Sequence, residues 1–269
     1  MNASINSPMA DYQKEVFAAP VASGLVVSHD VYTKGEGPVV VIIQELPGIG
    51  PETLSLAEAF NSRGFTVVMP HLFGPLGKTS LAGNLARVFC MRREFTLFSK
   101  NRSSPIVDWL KALCRNQRDK HGCDGVGVIG MCLTGNFAIS LMADASVLAA
   151  VASQPSMPVH DQTQIHMSTA DVEVVAQRLD AVGPMLAYRM EGDKICRAEK
   201  FVALDHAFNR GSERIRLRTL PGKGHSVFTL DFVDEEGHPT RKALGEMLEY
   251  FGQRLRPVPG VVSVSAEGS

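Results

Sequence analysis

Residues 126–135 read Val-Gly-Val-Ile-Gly-Met-Cys-Leu-Thr-Gly. A β-branched run meets Gly130, Met131 and Cys132, and Thr134-Gly135 then opens an apolar stretch of helical spacing. This order predicts a strand, a sharp turn and a helix. Such an elbow lifts one side chain above the sheet edge, where the helix N-terminus points at it. Cys132 is the residue lifted. The thiolate is the nucleophilic form of cysteine, and a helix N-terminus lowers a thiol's pKa. The competing reading is a small buried hydrophobe, the role of many free cysteines. Overlapping the same stretch, Gly125-Val-Gly-Val-Ile-Gly130 has the spacing of a dinucleotide-binding turn. That turn follows a strand, whereas this one lies inside one, and the preceding Asp119-Lys-His-Gly-Cys-Asp124 is polar. No cofactor is expected.

Outward from the elbow, apolar runs of strand length fall at about 22–32, 37–44, 65–69, 125–130, 147–152, 184–190 and 214–220. Val39-Val-Val-Ile-Ile43 is continuous and β-branched, as a strand covered on both faces requires. Helical patterns lie between the runs. Pro51 suits a first helical position and Gly64 a C-terminal cap for 54–63. Ser104-Pro105 opens a helix with Ile106, Trp109, Leu110 and Leu113 on one face. Ser168 with Asp171 reads as a capping box for a helix to about Leu179. Leu244, Leu248, Phe251 and Leu255 recur at helical spacing before Pro257. Strands alternating with helices predict a mainly parallel sheet with helices on both faces. One domain over 1–256 is expected, followed by a tail over 257–269 without helical periodicity. Arg214, Arg216 and Arg218 alternate with Ile215, Leu217 and Thr219, the pattern of a half-buried strand with a solvated basic face.

The chain has 269 residues, 45% of them hydrophobic and 20% charged, with a formal net charge of −1. That balance gives no electrostatic case for nucleic acid or an anionic membrane surface. No run approaches a membrane span. Residues 1–16 lack a basic start and an apolar core, so a signal peptide is not expected and a cytoplasmic location is. The five cysteines (90, 114, 123, 132 and 196) show neither disulfide nor zinc spacing, which fits reduced thiols and no metal. His121-Gly-Cys123 lacks a second cluster and reads as a surface turn.

In open α/β sheets, sites form beyond the carboxyl ends of the strands. Those ends carry Gln44-Glu45-Leu46-Pro47-Gly48, then Pro70-His71-Leu72-Phe73, then Ser153-Gln154-Pro155, then Glu191-Gly192-Asp193, and finally Pro221-Gly-Lys-Gly-His225-Ser226. An acid and then a histidine follow the cysteine along the chain. This is the nucleophile–acid–base order of α/β-hydrolases. His225 would exchange the thiol proton and return it to the leaving group. Asp193 would fix the imidazole tautomer; it leads over Glu191, which needs an earlier strand end, and Asp205, which falls mid-helix. Backbone amides of Leu133 and Leu46 would form the oxyanion hole.

Gly130-Met-Cys-Leu-Thr-Gly135, Gln44-Glu45 with Gly48, Gly192-Asp193 and Gly224-His225-Ser226 together resemble the dienelactone hydrolase family of the α/β-hydrolase fold, over roughly residues 20–255. The resemblance implies a Cys132, Asp193 and His225 triad. It also implies that Glu45 restrains the resting thiol and takes its proton when substrate binds. The activity implied is hydrolysis of a small-molecule carboxylic ester or lactone through a thioester, without a cofactor. On the residues alone, Glu45 is equally an exposed loop carboxylate. Three departures stand out. Thr134 occupies a position where the family usually has glycine, which implies a locally adjusted turn. No arginine follows His225, where Ser226-Val-Phe-Thr-Leu230 stands instead, and this argues against an anionic dienelactone. An earlier arginine could be Arg92 or Arg93, within Val88–Phe95, and Arg93 with Phe95 is the expected substrate contact. Phe89, Phe95 and Phe98 would line an acyl pocket or pack a lid, and 153–168 reads as a lid loop. Two other readings remain: a non-catalytic relative that binds a small molecule or senses redox at Cys132, and an acyltransferase or thioesterase on the same triad.

Overall fold

The structure, a computed structural model, describes residues 9–45, 48–74, 76, 104–156, 164, 165 and 167–256. Eight strands form one sheet: β1 (Gln13–Pro20), β2 (Val26–Lys34), β3 (Val39–Ile43), β4 (Thr66–His71), β5 (Val126–Met131), β6 (Val147–Ser153), β7 (Met185–Met190) and β8 (Ile215–Leu220). Their order is β1-β2-β4-β3-β5-β6-β7-β8. From β4 to β8 every pairing is parallel, while β1 and β2 are antiparallel. Six helices lie among the described residues: α1 (Pro51–Asn61), α2 (Pro105–His121), α3 (Leu133–Leu141), α4 (Thr169–Val182), α5 (Ala198–Phe208) and α6 (Pro239–Leu255).

The expected mainly parallel sheet with helices on both faces is what forms, and β3 shows why. All five of its residues are buried. Val39, Val41 and Ile43 belong to one buried cluster with Trp109 and Leu110 of α2, Phe137 of α3, Leu179 of α4 and Leu204 of α5. Val40 and Ile42 belong to a second cluster with Phe60 of α1 and Phe251 of α6. Strand side chains alternate between faces, so a strand covered on both sides must be apolar at every position.

The N-terminal reading needs correction. The strand expected over 22–32 is β2, over Val26–Lys34, and it pairs antiparallel with β1, a strand at Gln13–Pro20 for which no run was expected. β1 alternates exposed and partly buried residues and carries Gln, Lys and Glu, so its polar edge hides the apolar signal. Helix ends match the cap chemistry. Ser104 Oγ accepts from the Ile106 amide at 3.3 Å, and Ser168 Oγ from the Asp171 amide at 3.1 Å. At the opposite edge, the arginines of β8 and the one just before it are paired: Arg214 with Asp180 at 2.8 Å, Arg216 with Glu213 at 3.2 Å and Arg218 with Glu246 at 2.8 Å.

The glycines of the apparent dinucleotide motif serve packing. Residues 126–131 are buried strand. A Cβ on Gly127 would lie 2.6 Å from the Phe251 ring of α6, and Phe251 is fully buried. Glycine here lets a helix approach the sheet closely. Gly127→Ala is therefore expected to lower unfolding stability by about 1–3 kcal/mol through overpacking. Urea denaturation checks this, and an unchanged midpoint would show that α6 is free to shift.

Candidate active site

β5 ends at Met131, and α3 begins at Leu133, so Cys132 alone makes the turn. Its backbone sits at φ 58° and ψ −123°, a region L-residues rarely occupy. Hydrogen bonds on every side hold it there. The Cys132 amide donates to Ser153 O at 3.0 Å, and its carbonyl accepts from the Gly135 and Ser156 amides at 3.1 and 3.2 Å. Gly130 has no alternative, because a Cβ would meet Thr134 O at 2.0 Å.

Thr134 is the adjusted turn the sequence implied. It is fully buried, and its hydroxyl accepts from the Met131 amide at 2.8 Å. The hydroxyl proton faces three carbonyls, Met131 O at 2.9 Å and Ile43 O and Gln44 O at 3.1 Å each. The elbow is thereby tied to the end of β3, which carries Glu45.

Cys132 is 7% exposed, and its sulfur lies 3.4 Å from Ser156 Oγ. His225, on the loop after β8, places Nε2 3.5 Å from the same hydroxyl and Nδ1 2.8 Å from Asp193 Oδ2. Asp193 follows β7 and is buried. Its other oxygen accepts from the Ile195 and Cys196 amides at 2.8 and 2.9 Å. The buried Arg189 staples this loop by donating to Cys196 O and Glu191 O, both at 3.0 Å. Of the three acids weighed, the structure brings Asp193 to the imidazole. Glu191 is exposed, and Asp205 lies on α5, where it accepts from Asn209. Burial pushes the imidazole's pKa down, but the Asp193 carboxylate and Cys132 outweigh it and raise His225 to about 10.

The turn bearing His225 is built by Asp231, whose Oδ2 accepts from the His225 and Ser226 amides at 2.7 and 2.8 Å. Gly224 is at φ 131°, and a Cβ there would meet the Asp231 carboxyl at 2.5 Å. Glu45 is 2% exposed, not a loop carboxylate in solvent. It accepts from Thr229 Oγ1, from Ser226 Oγ at 3.1 Å and from Gln154 Nε2 at 3.2 Å. Burial raises its pKa; the three donors and the His225 charge oppose that rise. Thr229, within the stretch where an arginine was sought, is thus engaged with Glu45.

Leu133 lies in the first turn of α3, where amides have no partner within the helix. Leu46, Arg92, Arg93, Phe89, Phe95 and Phe98 lie outside the described residues, as do 157–163 and 166 of the expected lid and the tail 257–269. Sequence reasoning passed over Ser156 and Asp231. Ser156 stands one residue beyond the strand-end motif Ser153-Gln-Pro155, and Asp231 six residues past the histidine. Among the described residues, no three His, Cys, Asp or Glu side chains are grouped to hold a metal ion, and no helix is long and apolar enough to cross a membrane.

A family model described as the dienelactone hydrolase family matches residues 24–255. No curated protein matches the sequence. The fold is similar to a Klebsiella pneumoniae protein assigned as a dienelactone hydrolase, with TM-score 0.62, 16% identity, and 90% of this chain and 99% of that one covered. It is similar to a cold-adapted esterase from an Arctic intertidal metagenomic library (TM-score 0.59, 15% identity, 91% and 95% covered). It is also similar to P91, a dienelactone hydrolase-like promiscuous phosphotriesterase from metagenomic libraries (TM-score 0.59, 15% identity, 90% and 99% covered). At these identities the likeness is one of fold.

Because His225 has a folded-state pKa above its unfolded value of 6.5, its contribution to stability is complete below pH 6.5 and lost as pH rises to about 10. In Asp193→Asn the imidazole midpoint, followed by its NMR proton resonances, is expected to fall toward 6.5, and the loss of urea stability across that window to shrink. An unmoved midpoint would remove Asp193 as the cause.

Proposed function

The chain belongs to the dienelactone hydrolase family, and on that premise we propose that it hydrolyses a small carboxylic ester or lactone with Cys132 as nucleophile, His225 as base and Asp193 as its orienting acid. One observation carries this reading: the imidazole is held at 2.8 Å by a buried carboxylate and turned toward the cysteine of a strained elbow. His225 takes the Cys132 proton, and the sulfur attacks the carbonyl carbon. The negative oxygen is met by the Leu133 amide and, on the β3–α1 loop, that of Leu46. The ester C–O bond breaks as the leaving oxygen takes the proton from His225, leaving a thioester. Water, deprotonated by the same imidazole, attacks the thioester; the thiolate departs and is reprotonated.

Glu45 is assigned the part of a buried proton acceptor beside this pair, restraining the resting thiol. Its raised pKa and its link to the His225 loop through Ser226 favour that part. With Thr229 bonded to Glu45 where an arginine was sought, the acyl group is expected to be neutral. Arg93 and Phe95 are the candidates for further substrate contacts. The esterase named among the similar folds supports the ester class.

The test uses 4-nitrophenyl acetate, 4-nitrophenyl butyrate and an unsaturated lactone with wild type and Cys132→Ala, alongside mass-spectrometric alkylation of the Cys132 peptide. Cys132→Ala is expected to lose about 10³-fold or more in kcat/KM. The signal is specific because it is read on the Cys132 peptide itself, and burial pushes the Cys114, Cys123 and Cys196 thiols up, Cys196 to about 12. Full activity without the sulfur, together with alkylation no faster than a free thiol, would overturn the reading.

A further inference from the structure

Ser156 is 1% exposed and sits on the turn after β6. Its backbone is locked to the elbow at both ends. The Ser156 amide donates to Cys132 O at 3.2 Å, and its carbonyl accepts from Asn136 Nδ2 of α3 at 3.1 Å. Asn136 also donates to Leu133 O at 3.3 Å, so one buried side chain ties Ser156 to the residue after the nucleophile. The hydroxyl's place relative to the sulfur is therefore fixed by the fold. Oγ lies 3.4 Å from Cys132 Sγ and 3.5 Å from His225 Nε2.

Resting on the assignment of Cys132 as nucleophile, we propose that the Ser156 hydroxyl is a built-in hydrogen-bond donor to the Cys132 thiolate. A hydroxyl has one proton to give and two lone pairs to offer. When the sulfur is negative and the imidazole carries both protons, Nε2–H points at Ser156 Oγ while Oγ–H points at Sγ. Both charges then end on a bonded partner. With a neutral thiol and a neutral imidazole the same contacts link weaker partners, and hydrogen bonds to charged groups are about twice as strong. The hydroxyl thus favours the thiolate–imidazolium pair over the neutral pair. Once the sulfur is acylated its charge is gone, so the effect falls on the attacking state. A simple structural role, one more buried polar group satisfied by its neighbours, would give no preference between the two.

The groups that titrate around this sulfur come from three loops: His225 after β8, Glu45 after β3, and Asp193 with Cys196 after β7. Ser156→Ala leaves all four in place and removes one oxygen. The experiment follows the pH dependence of iodoacetamide alkylation at the Cys132 peptide, and thiolate ultraviolet absorbance, in wild type, Ser156→Ala and Ser156→Thr. Thermal unfolding identifies folded variants. The alkylation midpoint is expected to rise by about one unit in Ser156→Ala, a roughly tenfold loss of thiolate below it, and to return toward wild type in Ser156→Thr, which keeps the hydroxyl. If wild type alkylates fast and Ser156→Ala gives the same profile, this inference fails while the nucleophile stands. If wild-type Cys132 behaves as a free thiol, both fail. Should Ser156→Ala not fold, an upward-shifted midpoint in Ser156→Gly supports the proposal and an unshifted one overturns it.

Discussion

Everything in the site hangs on the backbone of Cys132 occupying positive φ. Such a conformation costs on the order of 1–3 kcal/mol in a non-glycine residue, and it persists only where neighbours over-determine it. Here they do so from three strands. β5 delivers the residue, β6 takes its amide and returns the Ser156 amide to its carbonyl, and β3 receives the Thr134 hydroxyl. The parallel pairing of β3, β5 and β6 puts those three strand ends side by side. A sheet with another order would leave the elbow without its anchors.

The charges are arranged by the same sheet. Asp193 and Glu45 approach the imidazole loop from different strand ends, one bonded to the ring and the other to the residue after it. The buried Asp193 carboxylate and Cys132 favour the protonated form of the histidine, while donors distributed over both acids keep each satisfied: two backbone amides for Asp193, and two hydroxyls and one amide side chain for Glu45. Gln154 belongs to this arrangement. It is itself at positive φ, the other non-glycine residue so placed among those described, and it spans from the turn after β6 to Glu45.

Much of this was legible because the decisive signals are local. The elbow shows in Gly130, Cys132 and the run around them, since a close backbone approach excludes any side chain at Gly130. The central strands show in unbroken β-branched runs, and the helix starts in Ser104 and Ser168. Asp193 was separable from Glu191 and Asp205 by where strand and helix patterns end. What stayed hidden depends on contacts between distant segments. Ser156 carries no signal in its own neighbourhood; its meaning comes from lying against residues 24 and 69 positions away. Asp231 is an ordinary surface-type residue until the turn of His225 folds onto it. The burial of Glu45 follows from Thr229, more than 180 positions along, so no local pattern could choose between a solvated and an enclosed carboxylate. β1 was missed because edge strands carry polar residues, as they must to discourage association.

Thr134 has a consequence for how this chain can change. Replacing it by glycine would strip the buried Met131 amide of this acceptor, at about 1–3 kcal/mol, and would loosen the first turn of α3 by a further ~0.5–1 kcal/mol. That is a large share of the ~5–15 kcal/mol holding a domain together. Threonine is required by its surroundings, which use its oxygen as an acceptor and its proton as a donor. The hydroxyl meets backbone atoms of Ile43, Gln44 and Met131, so the tie depends on the path of the two strand ends and not on the side chains there. Swaps of elbow residues between this chain and its relatives should therefore be made as a block, not one position at a time.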